Sequence, residues 1–260
     1  MEVYLSELPL WLAAVLIVAV PTGLAMSGTV LLRRWIGHQH LAENNEIAGF
    51  KFATVGVIYA VLLAFAVVVV WEKFSLAESS VTEEAGAAAT IYRLAAGPDA
   101  DVTATRAALD AYVHAVIDKD FPAMARGAES KEAAQALTVL YARALEVAGH
   151  SEAHPAVAPA IFSQLDSITH ARRARLQLAA GIVPPIIWAT LFGGGVLTVC
   201  FTFFFGTRNL KAQVLMTGIL SVLVFTGLLV IVSIDHPFTG PTHVDSEALE
   251  GVLADFGARP

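Results

Sequence analysis

The chain has 260 residues, 56% hydrophobic and only 15% charged, with a mean hydropathy of +0.65. A soluble domain carries about 25% charged residues, so this balance excludes a soluble globular or disordered chain and indicates a membrane protein. The net charge of −7 gives no basic face for a nucleic acid, and the single cysteine, Cys200, excludes a disulfide scaffold.

In chain order, the first apolar run is Leu8 to Leu32, free of charge and closed by Arg33-Arg34-Trp35. At about 1.5 Å per residue it crosses a hydrocarbon layer of about 30 Å. It is too long for a secretory signal, and acidic residues (Glu2, Glu7) stand where a signal carries Lys or Arg. The second run is Phe52 to Trp71. No proline follows before Gly97, which predicts one continuous helix, half in lipid and half beyond it. Past Trp71 its apolar residues thin to a stripe (Phe74, Leu76, Ala77, Val81, Ala85, Ala88, Ile91, Tyr92), with Glu78, Glu83 and Glu84 outside it.

Pro98-Asp99 should break that helix. The next begins at Asp101 or Thr103 and runs to about Lys119, where Pro122 should end it. Ser130 is placed to cap a helix through Ala148, and an amphipathic helix from Ile161 to Leu178 leads back into the membrane. The third span is Ile182 to Phe205, with Pro184-Pro185 at its start and Gly193-Gly194-Gly195 in its middle; the fourth is Ala212 to Ile234. The expected fold is therefore an all-α membrane protein with four transmembrane helices and an all-helical bundle inserted between the second and third. The expected organisation is spans one and two over 1–72, the bundle over 73–180, spans three and four over 181–240, and a short acidic tail over 241–260. The expected place is a membrane, crossed several times.

The links between spans one and two and between three and four share one side and hold Arg33, Arg34, Lys51, Arg208 and Lys211, which by the positive-inside rule are cytoplasmic. Arg172, Arg173 and Arg175, close to the third span, count the other way. They read as interfacial anchors that snorkel to headgroups.

No span holds an ionisable residue in its interior, which argues against a proton-coupled transporter and an intramembrane enzyme. No cofactor or metal is expected: His38, His40, His150 and His154 read as solvated loop histidines, and Ser151 interrupts a zincin pattern. The triple glycine Gly193 to Gly195 serves either close helix approach or a hinge that bares backbone to a pore. Asn44, Asn45 and Glu46 either cap a helix starting near Asn45 or form a polar ring at a pore mouth.

Two segments resemble a known family. One runs from Asn44-Asn45-Glu46 through Gly49, Phe52, Gly56, Tyr59 and Leu62-Leu63-Ala64-Phe65 to Trp71-Glu72. The other is Asp235-His-Pro237-Phe238-Thr-Gly240 after the fourth span. With Ala171-Arg172-Arg173-Ala-Arg175 and Phe205-Gly206-x-x-Asn209-Leu210, they are similar to the bacterial membrane proteins described as bestrophin-like. Pro237-Phe238-Thr-Gly240 resembles the Pro-Phe-Gly element of bestrophins with one residue inserted, and Ala66 to Val70 replace the polar residues that follow in their second helix. The resemblance implies a pentameric anion channel with an apolar neck lined by second helices, and a cytoplasmic helical bundle, opposite to the charge count. The expected partners are the lipid bilayer, further copies of the chain and small anions, not nucleic acid. Phe52, Gly56, Tyr59 and Leu63 share one helical face and are the candidate lining. The alternative is a membrane-anchored helical binding or scaffold module that conducts nothing.

Overall fold

A computed structural model describes residues 8–36, 41, 45–96, 100–149 and 157–257. Among the described residues every regular element is helical: α1 (Leu10–Ile36), α2 (Asn45–Leu94), α3 (100–124), α4 (Lys131–Gly149), α5 (Val157–Ala179), α6 (Pro185–Phe204), α7 (Leu210–Ile234) and α8 (Glu247–Gly257). Four of these, α1, α2, α6 and α7, are long and apolar enough to cross a membrane.

The chain divides into two compact units. The first comprises residues up to Glu72 with Ile182–Asp235, and so holds the four spans. Small residues let α1 and α7 approach closely, as lipid-embedded helices require. A Cβ added at Gly218 would lie 3.1 Å from Met26 Sδ. Polar contacts line the same seam: Thr29 donates to Thr217 Oγ1 (3.4 Å), and Arg33 Nη1 to Gln213 Oε1 (3.2 Å). Proline sets two boundaries here. Pro184 and Pro185 start α6, three residues later than the hydropathy run. Within α1, Pro21 follows a wide π-type stretch over Val15–Ala19, which accommodates the hydrogen bond that proline cannot donate.

The second unit, Lys73–Gly181 with residues from His236 onward, is a helical bundle. Its core joins Ile91 of α2, Leu109 and Val113 of α3, Leu140 of α4 and Leu165 and Ile168 of α5, all fully buried. Ser130 caps α4 as its sequence position suggests, its hydroxyl accepting from Ala133 N (3.3 Å). Three expectations are corrected. Pro122 does not end α3: the backbone widens into a π-type turn over Val116–Asp120 and resumes as α-helix over Phe121–Met124. That bulge repositions the carbonyl that Pro122 would otherwise meet. The acidic tail contains α8, whose Leu249 and Phe256 are buried in the bundle core. The Phe256 ring stacks on Tyr92 at 3.9 Å, and Tyr92 Oη donates to Phe256 O (2.8 Å). Glu84, set outside the apolar stripe by its charge, is fully buried. The expected break at Pro98-Asp99 lies outside the described residues.

Candidate functional site

A 50-residue helix without proline is the first element to place. The membrane half of α2 has two faces. One carries Phe52, Tyr59, Leu63 and Val70 and packs inside the first unit. The Phe52 ring meets Phe201 and Phe205 at centroid distances of 5.8 and 5.6 Å. Tyr59 is buried, donates from Oη to Leu191 O (3.1 Å) and lies against α6, where a Cβ at Gly194 would come 2.8 Å from its ring. Leu63 lies against α7, where a Cβ at Gly227 would come 2.7 Å from Cδ2. Of the expected lining, Phe52, Tyr59 and Leu63 thus lie against α6 and α7 of their own chain. Gly56, between them, leaves open space within 4 Å of where a Cβ would stand.

Among the described residues the opposite face meets no partner. Phe50, Thr54, Val57, Val61, Phe65 and Val68 fall at helical spacing along it, and Val57, Ile58 and Phe65 are 63%, 66% and 68% exposed. No Asp, Glu, Lys, Arg or His lies between Phe52 and Trp71.

At one end of this unit the Asn45 side chain clamps the link between α6 and α7. Its Nδ2 donates to Gly206 O (2.6 Å) and its Oδ1 accepts from Gly206 N (2.9 Å). Its amide is thus engaged by backbone rather than turned to a mouth. Glu46 is exposed, and Asn44 lies outside the described residues, as do His38, His40, His150 and His154. The triple glycine stays α-helical within α6 (Pro185–Phe201 is unbroken), and Gly194 and Gly195 provide the surface on which Tyr59 rests. Gly193 faces open space.

The Asp-His-Pro-Phe-Thr-Gly segment divides its tasks. In the first unit, Asp235 Oδ1 accepts from Ile182 N (3.2 Å) and Val183 N (2.8 Å), tying the end of α7 to the start of α6. In the second, Pro237 O accepts from Val244 N (2.7 Å), Phe238 is buried edge-on to Phe121 (5.9 Å), Thr239 Oγ1 donates to Ala125 O (3.0 Å), and Gly240 adopts φ 83°. Gly181 also has positive φ (94°), and a Cβ there would lie 2.9 Å from His236 Nε2.

The bundle holds a buried ionic cluster that the sequence reading missed. Arg175 donates from Nε to Glu84 Oε2 (2.9 Å) and from Nη2 to Glu84 Oε1 and Asp120 Oδ2 (both 3.2 Å). Arg172 pairs with Asp120 through Nε (3.0 Å) and Nη2 (3.2 Å), and Tyr112 Oη donates to Glu84 Oε1 (2.5 Å). Asp120 also accepts from Ser130 N (3.0 Å), and the Arg175 guanidinium lies 5.1 Å over the Phe121 ring. Burial and then the Glu84 charge hold the Tyr112 hydroxyl well above its ordinary range, against the pull of Arg175. Burial works against the Arg175 charge, but Glu84, Tyr112 and Asp120 outweigh it and hold that group above its usual value. The assignment of these arginines to headgroups is thus corrected for two of three: Arg172 and Arg175 are buried, and only Arg173 is exposed. A sequence signal existed. Glu84 follows Ala77 by seven residues, and Arg172 and Arg175 continue the 161, 165, 168 spacing of α5, so charges stand where the stripe is apolar. Such residues are buried only when paired with one another.

Four spanning helices with a helical bundle between the second and third define an all-α membrane protein. The chain belongs to the bestrophin-like family, whose domain model matches residues 19–249. Crystal structures of a bacterial bestrophin homologue from Klebsiella pneumoniae share the fold. A point-substituted form superposes with a TM-score of 0.74 at 14% identity, covering 93% of this chain and 99% of that one. The form solved by zinc phasing gives 0.73 at 15% identity over the same shares. No curated protein matches the sequence significantly.

Proposed function

We propose that the protein is an oligomeric, anion-conducting channel of the bacterial inner membrane, not an enzyme, in which copies of the chain, five by family resemblance, stand around a shared axis. The outward face of α2, with Val57, Val61, Phe65 and Val68, lines the neck in place of Phe52, Tyr59 and Leu63. The observation that carries this reading is that face. A span whose other side is filled by its own chain presents an unbroken apolar stripe with no charge. An apolar constriction gates by dewetting and passes ions without fixed binding sites that would hold them. Arg33, Arg34, Lys51, Arg208 and Lys211, gathered at one end of the spans, favour anions there.

The test is reconstitution of the purified protein in planar bilayers under a chloride gradient. Chloride-selective unitary currents are expected. Val61→Thr, which adds a hydroxyl at nearly constant volume, and Phe65→Ala, which widens the passage, should each raise the conducting fraction. A monodisperse monomer that carries no current under any gradient refutes the channel and leaves the anchored binding module.

A further inference from the structure

A cleft of about 410 Å³ opens in the first unit between the start of α2, the α6–α7 link and the start of α7. Phe52, Phe205, Met216 and Leu220 form its walls, with Gly49 at one side; Asn45, Thr202, Thr207, Gln213 and Thr217 contribute to its lining. From Gln213 to Leu220 it follows α7 for seven residues, about 10 Å along the axis. The polar groups that line it already have partners. Asn45 is bonded to Gly206, Gln213 Nε2 donates to Phe205 O, Thr202 and Thr217 share a hydroxyl contact, and Thr207 donates to Asn209 O. An apolar occupant strands no donor or acceptor there, whereas a small polar one finds few groups to bind.

The polar end of the cleft is electropositive. Arg33, half-buried, touches the cleft through Gln213, and its guanidinium is held by neutral acceptors: Gln213 Oε1 (3.2 Å) and Arg208 O (3.1 Å). Among the described residues no carboxylate pairs with it. Arg34, Lys51, Arg208 and Lys211 share that end, where Glu46 is the one described carboxylate. Trp35, 86% exposed, is beside them, as befits a ring at headgroup level. An oily slot that ends beside a guanidinium held by an amide and a backbone carbonyl, with further basic residues at the same end, fits a molecule with an apolar chain and an anionic head.

We propose that this cleft binds an anionic glycerophospholipid, with one acyl chain lying between α2 and α7 along Phe52, Met216 and Leu220 and the phosphate held at Arg33 with Arg208 and Lys211. The site is independent of whether the protein conducts.

The test uses the full-length protein, stripped of lipid in neutral detergent, with affinities read by native mass spectrometry. The probes are dioctanoyl phosphatidylglycerol, dioctanoyl phosphatidylcholine and glycerol phosphate. At about five-fold per basic group engaged, the phosphatidylglycerol should bind about ten-fold or more tightly than the phosphatidylcholine. Arg33→Gln should weaken the phosphatidylglycerol about five-fold and the phosphatidylcholine less, because the choline ammonium offsets its phosphate. Met216→Trp, at an exposed position on the cleft wall, should weaken both lipids without altering the oligomer. Equal binding of the two lipids overturns the headgroup assignment. Glycerol phosphate that competes as well as the whole lipid, or a Met216→Trp protein that binds as tightly as its parent, overturns the seat of the chain. No binding at all overturns both.

Discussion

Replacement of Arg175 by methionine tests the physics of the buried cluster most directly. The four groups Glu84, Asp120, Arg172 and Arg175 cancel in formal charge and are almost completely removed from water. Arg175 is the shared member: it spans both carboxylates at 2.9–3.2 Å. Methionine nearly preserves its volume but leaves two buried carboxylates facing one guanidinium. Glu84 then keeps only the Tyr112 hydroxyl. Breaking a buried pair by removing one partner costs about 3–5 kcal/mol. At roughly 2–4 °C per kcal/mol, that predicts a fall of roughly 6–20 °C in melting temperature. Scanning fluorimetry of the detergent-solubilised protein reads the shift. Glu84→Gln in the Arg175→Met background restores neutrality and keeps an acceptor for Tyr112, and should recover half the loss or more. An Arg175→Met protein that melts within about 2 °C of its parent would refute the claim that these charges depend on one another.

The same cluster predicts alkaline lability. The folded state holds Tyr112 protonated above its ordinary range, so the unfolded chain releases that proton first, near pH 10, and stability falls as pH rises from there. Tyr112→Phe should flatten melting temperature against pH between about pH 9.5 and 11. At the α2–α6 contact, Gly194→Ala forces a carbon to within 2.8 Å of the Tyr59 ring and should cost about 1–3 kcal/mol, whereas Gly193→Ala meets open space and should leave the melting temperature unchanged. Gly181→Ala combines a φ of 94° with a 2.9 Å approach to His236 and should lower the melting temperature by the equivalent of about 1–3 kcal/mol. In bilayers, Tyr59→Phe should leave the unitary current of the parent unaltered, because the hydroxyl is spent on Leu191 O inside the chain.

Much of the architecture was legible because it follows from local and one-dimensional properties. Uninterrupted apolar runs of membrane length mark the four spans, since a bilayer demands internally bonded helices of about 20 residues. The absence of proline from Phe52 to Gly97 marks α2 as continuous, and Ser130 marks the start of α4. The acidic tail hid α8 because Asp245, Glu247, Glu250 and Asp255 are interleaved with its apolar side chains, and the burial of Leu249 and Phe256 exists only where the bundle core receives them. Pro122 misled because a wide turn, invisible in composition, relieves it.

The chemistry of position belonged to the tertiary structure. Periodicity put Phe52, Gly56, Tyr59 and Leu63 on one face, but both faces of α2 are apolar, so hydropathy could not say which one meets α6 and α7. Only the contacts of Tyr59 with Gly194 and of Leu63 with Gly227 decide it, and they turn Val57, Val61 and Phe65 outward. Glu84, Asp120, Arg172 and Arg175 come from three helices up to 91 residues apart. Each alone reads as a surface charge, because burying one ion is prohibitive; together they compensate one another, and that compensation exists only once the helices have met.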